Sequence, residues 1–236
     1  MGEGLIEDAL PRLNIALDRR RPAADQIYEA LKKAIVSLRL VPGASISENR
    51  LCRQIGVSRT PVRAALIRLV EDGLIEVFPQ KGSIVAPIKL SAVRDNHFIR
   101  KALELAVLAR AAEAWTPGLS AGSHEIVAQQ SAALAQLDFE SFHRLDESFH
   151  AAFCVAAGLQ GVWSTILIAK ARVDRVHRLA SIEGRLQQVI VEHRDILDTL
   201  DAGDAKRAGE RLDYYLEQAP SILQGLIGAY GKYFVD

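Results

Sequence analysis

The chain has 236 residues, enough for two hydrophobic cores, and its 29 basic and 29 acidic side chains give a net charge of zero at pH 7. A neutral chain is unlike the proteins that coat nucleic acids through a high overall positive charge. Charged residues interrupt Met1 to Leu17, unlike in a signal peptide, and no apolar run is long enough to span a membrane. Cys52 and Cys154 fall in different predicted domains. The sequence therefore predicts a cytoplasmic protein that has no membrane contact and keeps its cysteines reduced.

Residues 1–24 are predicted to form an N-terminal arm, and a compact DNA-binding domain is predicted over residues 25–88. Its first helix is marked by apolar residues at helical spacing, which are Ile27, Leu31, Ile35 and Leu38. Val41-Pro42-Gly43 then breaks the chain. Ser47 is placed to cap a short second helix that contains Leu51 and Ile55.

The third predicted helix carries the most informative residues of the sequence, because it places positive charges beside an apolar stripe. Ser58 is expected to cap its first turn, where Pro61 is tolerated because the N–H that proline lacks would have no helical partner there. Arg59 and Arg63 lie one turn apart on the outer side. A helix fits the major groove of B-DNA, and an arginine there can donate to both acceptors of guanine. This helix is therefore predicted to bind DNA.

After Asp72-Gly73 the hydrophobic pattern changes from the period of a helix to that of a β-strand. Leu74 to Phe78 and Ser83 to Ala86 predict two strands, joined through a loop that ends in Lys81-Gly82. Three helices followed by a hairpin make a winged helix-turn-helix. In that fold the third helix enters the major groove, and the wing tip meets the DNA backbone or the minor groove.

A series of short motifs spans most of this domain. They are Pro42-Gly43, Leu51, Gly56-Val57-Ser58-Arg59-Thr60-Pro61-Val62-Arg63, Ala65-Leu66, Leu69, Gly73-Leu74 and Lys81-Gly82. This order of motifs resembles the GntR family of bacterial transcription regulators. The resemblance implies that Arg59, Thr60 and Arg63 contact operator bases or phosphates and that Gly82 enters the minor groove. The complete predicted DNA-binding set is Arg59, Thr60, Arg63, Ser58, Lys81, Gly82 and Arg50.

The charge distribution favours this interpretation over the alternative that the arginines are ordinary solvated charges. Ile27 to Gly82 contains nine basic and five acidic residues, whereas Lys89 to Asp236 contains sixteen basic and nineteen acidic ones. The positive field therefore lies on the winged domain. Two residues depart from the family pattern: Ala64 replaces the usual glutamate, and Leu38 replaces the usual glycine.

The pattern of residues 89–236 is helical almost throughout. Ser91 is expected to cap a long helix that continues to Trp115 and is ended by Thr116-Pro117-Gly118. Further amphipathic runs cover residues 121–137, 139–157, 160–180, 184–201 and 204–229. The predicted fold class is therefore mainly α, with an N-terminal winged helix-turn-helix that has a small β-hairpin wing and a C-terminal all-α bundle of six helices.

Two helices of the predicted bundle carry residues typical of metal ligands. Asp146 and His150 lie four residues apart on one helix, and His193 lies on a later one. A carboxylate and two imidazoles suit zinc, manganese or nickel. An aspartate and a histidine at this spacing are more often a surface pair. Cys154, one turn after His150, is either a soft ligand or a small core residue.

This half of the chain resembles the helical ligand-binding domain of the FadR-like branch of the GntR family, known as the FCD domain. The resemblance implies that an aspartate, a histidine one turn later and two further histidines hold a metal above a cavity for a small carboxylate. Asp146, His150 and His193 match the first three positions, and Tyr215 stands where the fourth histidine is expected. The metal is therefore expected to have three protein ligands plus water, or to be lost.

Other polar residues of the bundle are candidate effector contacts. Arg100 and Glu104 occupy positions near the family's cavity, although a helix salt bridge explains the same spacing. Three residues of a middle helix can meet an effector carboxylate, which an arginine would bind through two hydrogen bonds. The full predicted effector-binding set is Arg100, Glu104, Arg172, Arg175, His177 and Tyr215. Residues 89–236 are therefore predicted to form a helical effector-binding and dimerisation domain of the FCD type.

These features predict a bacterial transcription regulator that binds a pseudo-palindromic double-stranded DNA operator as a homodimer. A small effector, expected to be an organic acid, would change operator affinity by shifting the relative pose of the two domains. Two alternatives stand beside this prediction. One is a metal-dependent hydrolase-like enzyme, disfavoured because no nucleophile motif or acid–base carboxylate pair accompanies the metal-like residues. The other is a DNA-binding regulator with no metal and a degenerate effector site.

Overall fold

The structure, a computed structural model, describes residues 15–78, 82–182 and 185–236, apart from the side chains of residues 180–182 and 219–222. Its internal contacts divide the chain into two compact units. The first unit runs to Leu90 and also includes Ala229–Asp236, and the second unit consists of Ser91–Gly228. Each unit buries its own hydrophobic core.

The first unit packs three helices against a small antiparallel sheet. The helices are α1 (Ala23–Val36), α2 (Glu48–Ile55) and α3 (Arg59–Glu71), and the strands are β1 (Ser45–Ile46), β2 (Ile75–Phe78) and β3 (Gly82–Val85). Their apolar faces meet in a core in which Leu31, Leu51 and Leu69 are fully buried. Burying a side chain of this size contributes about 1.5–3 kcal/mol. Because α2 has only eight residues, this packing rather than helix propensity holds it in place.

The sheet has the strand order β1-β3-β2, and β2 and β3 form the predicted hairpin, with Phe78 opposite Gly82. The wing is thereby confirmed, while its predicted tip residue Lys81 lies outside the described residues. The strand β1 pairs Ser45 with Ile84. The sequence did not predict β1, because two residues are too few to show a strand periodicity.

The ends of the three helices test the predicted caps. The helix α1 ends at Val36, earlier than predicted, because Leu38 adopts a left-handed φ of 60° that cannot continue a helix. Ser47 caps α2 as predicted, since its Oγ accepts a hydrogen bond from the Arg50 N–H at 3.3 Å. Ser58 directly precedes α3, but the predicted capping bond is wrong, because its exposed hydroxyl makes no hydrogen bond to the first turn.

A short parallel pair of strands joins two distant parts of the sequence within the first unit. The strand β4 (Ile88–Lys89) pairs with β5 (Phe234–Val235), which follows a 3₁₀ turn at Gly231–Tyr233. Ile88 is fully buried in this arrangement. The last residues of the chain are therefore grouped with the first unit.

The second unit contains the six predicted helices. They are α4 (Leu90–Glu113), α5 (Pro117–Ala135), α6 (Phe139–Ala156), α7 (Gln160–Ile182), α8 (Leu186–Asp201) and α9 (Ala205–Tyr230). Two predicted boundaries are wrong. Ser91 does not cap α4, because the helix has already begun at Leu90. The helix α5 begins at Pro117, earlier than predicted, and Thr116 is its N-cap. The Thr116 Oγ1 accepts a hydrogen bond from the Leu119 N–H at 3.3 Å.

The core of the second unit is rich in aromatic rings along α6. Phe142, Phe149 and Phe153 are buried, and the Phe149 ring meets the Phe153 ring edge-on with centroids 4.9 Å apart. Cys154 is buried in the same core, and burial raises the pKa of its thiol to about 11. Cys154 is not among the described residues whose ligand atoms converge with those of His150, and its packing is that of a small core residue. Within the described residues, no helix has the length and apolar character needed to cross a membrane.

Candidate functional site

The outward face of α3 carries the residues predicted to bind DNA. Gly56, with a left-handed φ of 76°, ends α2 and turns the chain into α3. The buried side of α3 includes Val62, whereas Arg59, Thr60 and Arg63 are exposed. The fold thus holds the helix by its apolar stripe and leaves its polar face open to a partner.

Arg63 has only a loose contact with the protein. Its side chain is 67% exposed and lies 3.4 Å from the carboxylate of Glu48 on α2. An ion pair this exposed contributes about 0–1 kcal/mol. Arg63 can therefore exchange Glu48 for a base or a phosphate at little cost.

The other predicted DNA contacts lie around the same helix and on the wing. Because Ser58 does not cap α3, the first-turn N–H groups of that helix are left for another acceptor, and helix N-termini attract phosphate groups. Gly82 is exposed at the start of β3, with a φ of 90° that favours glycine. Arg50 is half-buried on α2.

A buried polar cluster lies inside the second unit, where side chains of several helices converge. Asp146 and His150 come from α6, His193 from α8 and Tyr215 from α9, and all four are buried. Asp146 Oδ1 lies 3.7 Å from His193 Nε2 and 4.0 Å from His150 Nε2. The ligand atoms of these three residues all lie within 4.8 Å of one another. The structure thus brings the three predicted metal ligands together and excludes the interpretation of Asp146 and His150 as a surface pair.

The second ring nitrogen of each histidine faces an oxygen atom. His193 Nδ1 lies 2.9 Å from Gln130 Oε1, while the amide nitrogen of Gln130 lies 3.5 Å from the Phe142 carbonyl. The proton of His193 is therefore assigned to Nδ1, which donates to Gln130. His150 Nδ1 lies 2.5 Å from Glu104 Oε2. Histidines that bind metals are generally oriented in this way by an oxygen on their other nitrogen.

The inner nitrogen of His193 has no hydrogen-bond partner among the described residues. Burial lowers the pKa of His193 to about 3, so its ring is neutral at pH 7 and the Nε2 lone pair faces the Asp146 carboxylate. A buried lone pair that faces a carboxylate favours a cation between them. Asp146, His150 and His193 therefore fit a divalent transition metal.

Two further side chains contact Asp146. The Tyr215 hydroxyl donates a hydrogen bond to Asp146 Oδ1 at 3.1 Å, and Lys170 Nζ lies 3.3 Å from Asp146 Oδ2. Burial raises the pKa of Asp146, but the neighbouring charged groups, of which Lys170 contributes most, together outweigh burial and hold that pKa well below its usual range. Burial also raises the pKa of Tyr215 well above its ordinary value, so its phenol stays neutral. Tyr215 thus meets Asp146 as a hydrogen-bond donor, and a neutral phenol is a weak metal ligand.

Arg100 and Glu104 of α4 belong to the same cluster. Arg100 Nε donates to Glu104 Oε1 at 2.5 Å, and Arg100 Nη2 lies 3.5 Å from His150 Nε2. Burial opposes the charge on Glu104, but the neighbouring groups, of which Arg100 contributes most, together outweigh burial and lower the pKa of Glu104 to about 2. The pair is therefore buried and ionised beside the candidate metal ligands, rather than a salt bridge at the helix surface.

The predicted effector residues of α7 lie beside this cluster and along the same helix. Lys170 Nζ is 2.7 Å from Asp174 Oδ1, and the same carboxylate oxygen is 3.3 Å from His177 Nδ1, which links His177 through Asp174 and Lys170 to Asp146. Arg175 is buried, and burial together with the nearby charge of Arg172 lowers the pKa of Arg175 to about 10.

The sequence did not identify Lys170, Asp174 and Gln130 as part of the cluster. Lys170 and Asp174 lie four residues apart in a stretch of α7 that is otherwise mostly apolar and buried. An ion pair at that spacing within an apolar stretch is a signal that the sequence does contain. Gln130 gives no such signal, because glutamine is common on the exposed faces of helices.

A winged helix in one unit and a helical bundle with a buried polar cluster in the other define a DNA-binding transcription regulator. Residues 23–85 match the family described as bacterial regulatory proteins, gntR family, and residues 96–218 match the family described as FCD domain. The chain belongs to the GntR family of bacterial transcription regulators and carries an FCD domain.

Similar proteins agree with this assignment. The chain is 38% identical over 183 residues to an uncharacterized HTH-type transcriptional regulator in an unstable DNA locus of Streptomyces ambofaciens, a match that covers 77% of each chain. It is 34% identical over 203 residues to the HTH-type transcriptional repressor RspR of Escherichia coli strain K12, covering 86% of this chain and 89% of RspR. The solved structure of E. coli McbR/YncC is similar with a TM-score of 0.74 and 26% identity, over 86% of this chain and 97% of that chain. These relatives are regulators, which sets aside the hydrolase-like alternative.

Proposed function

We propose that this regulator binds a pseudo-palindromic operator as a homodimer and that a small organic acid bound in its second unit controls its operator affinity. The observation that supports effector control most is the buried cluster around Asp146, which contains the cations Arg100 and Lys170 as well as two histidines. Burying charged side chains costs free energy even when they are paired, and apolar side chains at the same positions would often give equal or greater stability. An effector carboxylate would instead use Arg100, because a guanidinium binds it through two hydrogen bonds.

Asp146, His150 and His193 would hold a divalent transition metal such as zinc, manganese or nickel. When bound, the ion supplies a positive charge that attracts a carboxylate oxygen of the effector. Gln130 keeps the Nε2 lone pair of His193 directed at this position, and Tyr215 remains a donor to Asp146. The alternative is a regulator without metal, in which these residues form a satisfied polar cluster.

On the DNA side, Arg59, Thr60 and Arg63 would contact bases or phosphates in the major groove. The exposed first turn of α3 next to Ser58 suits a phosphate, and so does Arg50. Gly82 and Lys81 would bring the wing to the minor groove. Two copies related by a two-fold axis would present two α3 helices, which explains why the operator is expected to be pseudo-palindromic.

The test is an operator titration in which the effector and the metal are varied separately. DNA fragments that the purified protein enriches from the genome of its source bacterium supply the operator. Operator affinity is then measured at fixed salt with a panel of small mono- and dicarboxylic acids, each with zinc, manganese or nickel and each with a chelator. We expect at least one acid to change the affinity by about 5–150-fold. A chelator that abolishes the response supports the metal.

His193→Ala is the variant that isolates the cluster. It should bind the operator like the parent in the absence of acids but lose the response to the active acid, because His193 is remote in sequence from α3 and central to the cluster. Arg207→Ala, which removes an exposed charge of α9, is the control and should retain both properties. If no acid alters the operator affinity in either metal condition, effector control through this cluster is wrong.

A further inference from the structure

One face of α4 exposes apolar side chains to solvent. Phe98 is 72% exposed and Ile99 is 42% exposed. Exposed alanines continue this face over the next turns, at Ala102, Ala106 and Ala109. The opposite face of the same helix is buried, through Asn96, Arg100, Glu104, Val107, Leu108 and Ala111. A helix whose outer face met only water would carry polar residues at such positions, so this face is suited to a partner.

Charged residues mark both ends of this face. Arg94 and Asp95 precede Phe98, and Arg110 and Glu113 follow Ala109, with all four exposed. At a rise of 1.5 Å per residue, the two charged ends lie about 24 Å apart along the helix. Each end therefore presents one positive and one negative side chain, which is the pattern of a surface that can pair with itself.

We propose that this face of α4 is the interface with a second copy of the chain and that the two α4 helices pack antiparallel about a two-fold axis near Ala102. The proposal rests on the homodimer proposed above and assigns the surface that forms it. In the antiparallel arrangement Asp95 of each copy meets Arg110 of the other, and Arg94 meets Glu113. A parallel arrangement would place each charge against its own equivalent, so the charges select the antiparallel one.

The shapes of the side chains fit the same register. With the axis near Ala102, the large ring of Phe98 in each copy lies against the small side chains of Ala106 and Ala109 in the other. Small residues at the crossing allow two helices to approach to about 8 Å. A two-fold interface uses one patch on both copies, which requires such a patch to complement itself in both charge and shape. A DNA partner would instead require an excess of positive charge.

The test is the dimer dissociation constant of the full chain and its variants, measured by sedimentation over a series of protein concentrations. Arg110→Asp alone and Asp95→Arg alone should each raise the dissociation constant about tenfold, because each creates two like-charge contacts by symmetry. The double variant Asp95→Arg with Arg110→Asp should restore the parent value, since the pairs then form with their signs exchanged. Only side chains that meet across the interface give this rescue.

Phe98→Asp should have a larger effect and raise the dissociation constant by roughly a hundredfold or more, because both copies lose a buried ring. The control is Val155→Asp, which places the same charge at a 54% exposed apolar position of α6. It should leave the dimer unchanged. Circular dichroism of each variant establishes that the fold is retained.

The outcomes separate this interface from the proposed function. A dimeric parent whose dissociation constant is unchanged by Phe98→Asp, or a double charge variant that is weaker than either single variant, overturns the α4 interface and leaves the dimeric regulator standing. A parent that stays monomeric in solution overturns both the homodimer and this interface. The response of operator affinity to organic acids is measured independently of either result.

Discussion

The two units place their functional charges in opposite environments. On α3 of the first unit, Arg59 and Arg63 are exposed, and Arg63 makes only a loose contact with Glu48 of α2. In the second unit, Arg100, Lys170 and Asp146 are buried. Arg100 is paired with Glu104 of its own helix, and Lys170 of α7 is paired with Asp146 of α6. DNA is bound through solvent-exposed cationic side chains, because their contact with the phosphates releases counterions from the DNA. A small ligand is bound more tightly by polar groups that are already desolvated and oriented. The environment of the charges thus indicates which kind of partner each unit recognises.

The largest expected effect comes from removing a buried charge. Lys170→Met leaves the carboxylates of Asp146 and Asp174 without their ammonium partner, which should lower the free energy of unfolding by about 3–5 kcal/mol. The matched control is Lys206→Met, because Lys206 pairs with Glu210 at the surface and its side chain is 89% exposed. That variant should cost less than about 0.5 kcal/mol. Equal losses in urea denaturation would contradict the contrast between the two environments.

The next effect is a dependence of stability on pH. The folded-state pKa of Glu104 is lowered to about 2 from an ordinary value of 4.5, because its neighbours, Arg100 foremost, together outweigh the effect of burial. A lowered carboxyl pKa gives a stabilisation that is complete above pH 4.5 and is lost as the pH falls toward 2. Its full size is about 3 kcal/mol. Glu104→Gln should therefore lie below the parent at pH 6, and the gap should narrow steadily in denaturation experiments at lower pH. A gap that stays constant would show that Glu104 is not an ionised buried partner.

On DNA, Arg63→Ala should cost about 1–3 kcal/mol of operator binding and relax the base preference at one position of each half-site. The protein itself should stay as stable as the parent, because the contact of Arg63 with Glu48 is loose. Arg207→Ala removes the same charge from an exposed position of α9 and controls for net charge. Titration of operator DNA and of a shuffled sequence at one salt concentration measures both affinity and preference. An unchanged operator affinity of Arg63→Ala would show that α3 is not the helix that recognises the operator bases.

A smaller effect is expected where the second unit departs from its family. Tyr215→His adds an imidazole where a neutral phenol now donates to Asp146, and it should raise metal affinity about tenfold, which appears as about 1.4 kcal/mol of added stability at saturating metal. Tyr214→His, at the exposed neighbouring position, is the control. Thermal melts with and without zinc, manganese or nickel provide the measurement. If the parent purifies without metal and Tyr215→His gains no more than Tyr214→His, the cluster does not hold a metal.

The smallest effect is expected in the turn after α1. Leu38 adopts a φ of 60°, which costs a leucine about 1–2 kcal/mol relative to its right-handed conformation. Leu38→Gly relieves this strain but gives the unfolded chain more freedom, so a net gain of about 0.5–1 kcal/mol is expected. Leu40→Gly, two residues later at a fully buried position, should instead destabilise. A loss of stability in Leu38→Gly would show that the leucine side chain contributes more than its backbone strain costs.

The same contrast explains how much of the molecule could be predicted from the sequence. The exposed face of α3 could be predicted from the sequence, because Arg59, Thr60 and Arg63 are close in sequence and the helical period places them on one face. Residue type and helical spacing indicated Asp146, His150 and His193 as candidate ligands, but only the family resemblance favoured a metal site over a surface pair. The contact of Lys170 with Asp146 could not be predicted, because it depends on α7 packing against α6, and sequence periodicity does not show which helices are neighbours.

Predictions of helix caps, helix starts and short strands were wrong or missing where the local residues allow more than one structure. Ser58 has the residue type and the position of a helix cap, yet its side chain stays exposed. Thr116-Pro117-Gly118 contains a break and a cap in the same three residues, so the pattern did not show that α5 begins there. The strand β1 is held by β3 rather than by its own two residues. In each case tertiary contacts decide what the local residues leave open.

The pairing of β4 with β5 makes the order of synthesis matter. Ile88 is paired with Phe234, near the last residue of the chain, so the first unit is interrupted by the whole of the second and cannot be completed when its own helices have left the ribosome. Contacts between residues so distant in sequence form late, because the intervening chain must be closed first. The bundle can finish folding while the DNA-binding part still lacks its last strand. A chain whose synthesis stops before Phe234 leaves Ile88 without its strand partner, so the first unit is complete only after Ala229–Asp236 have been made.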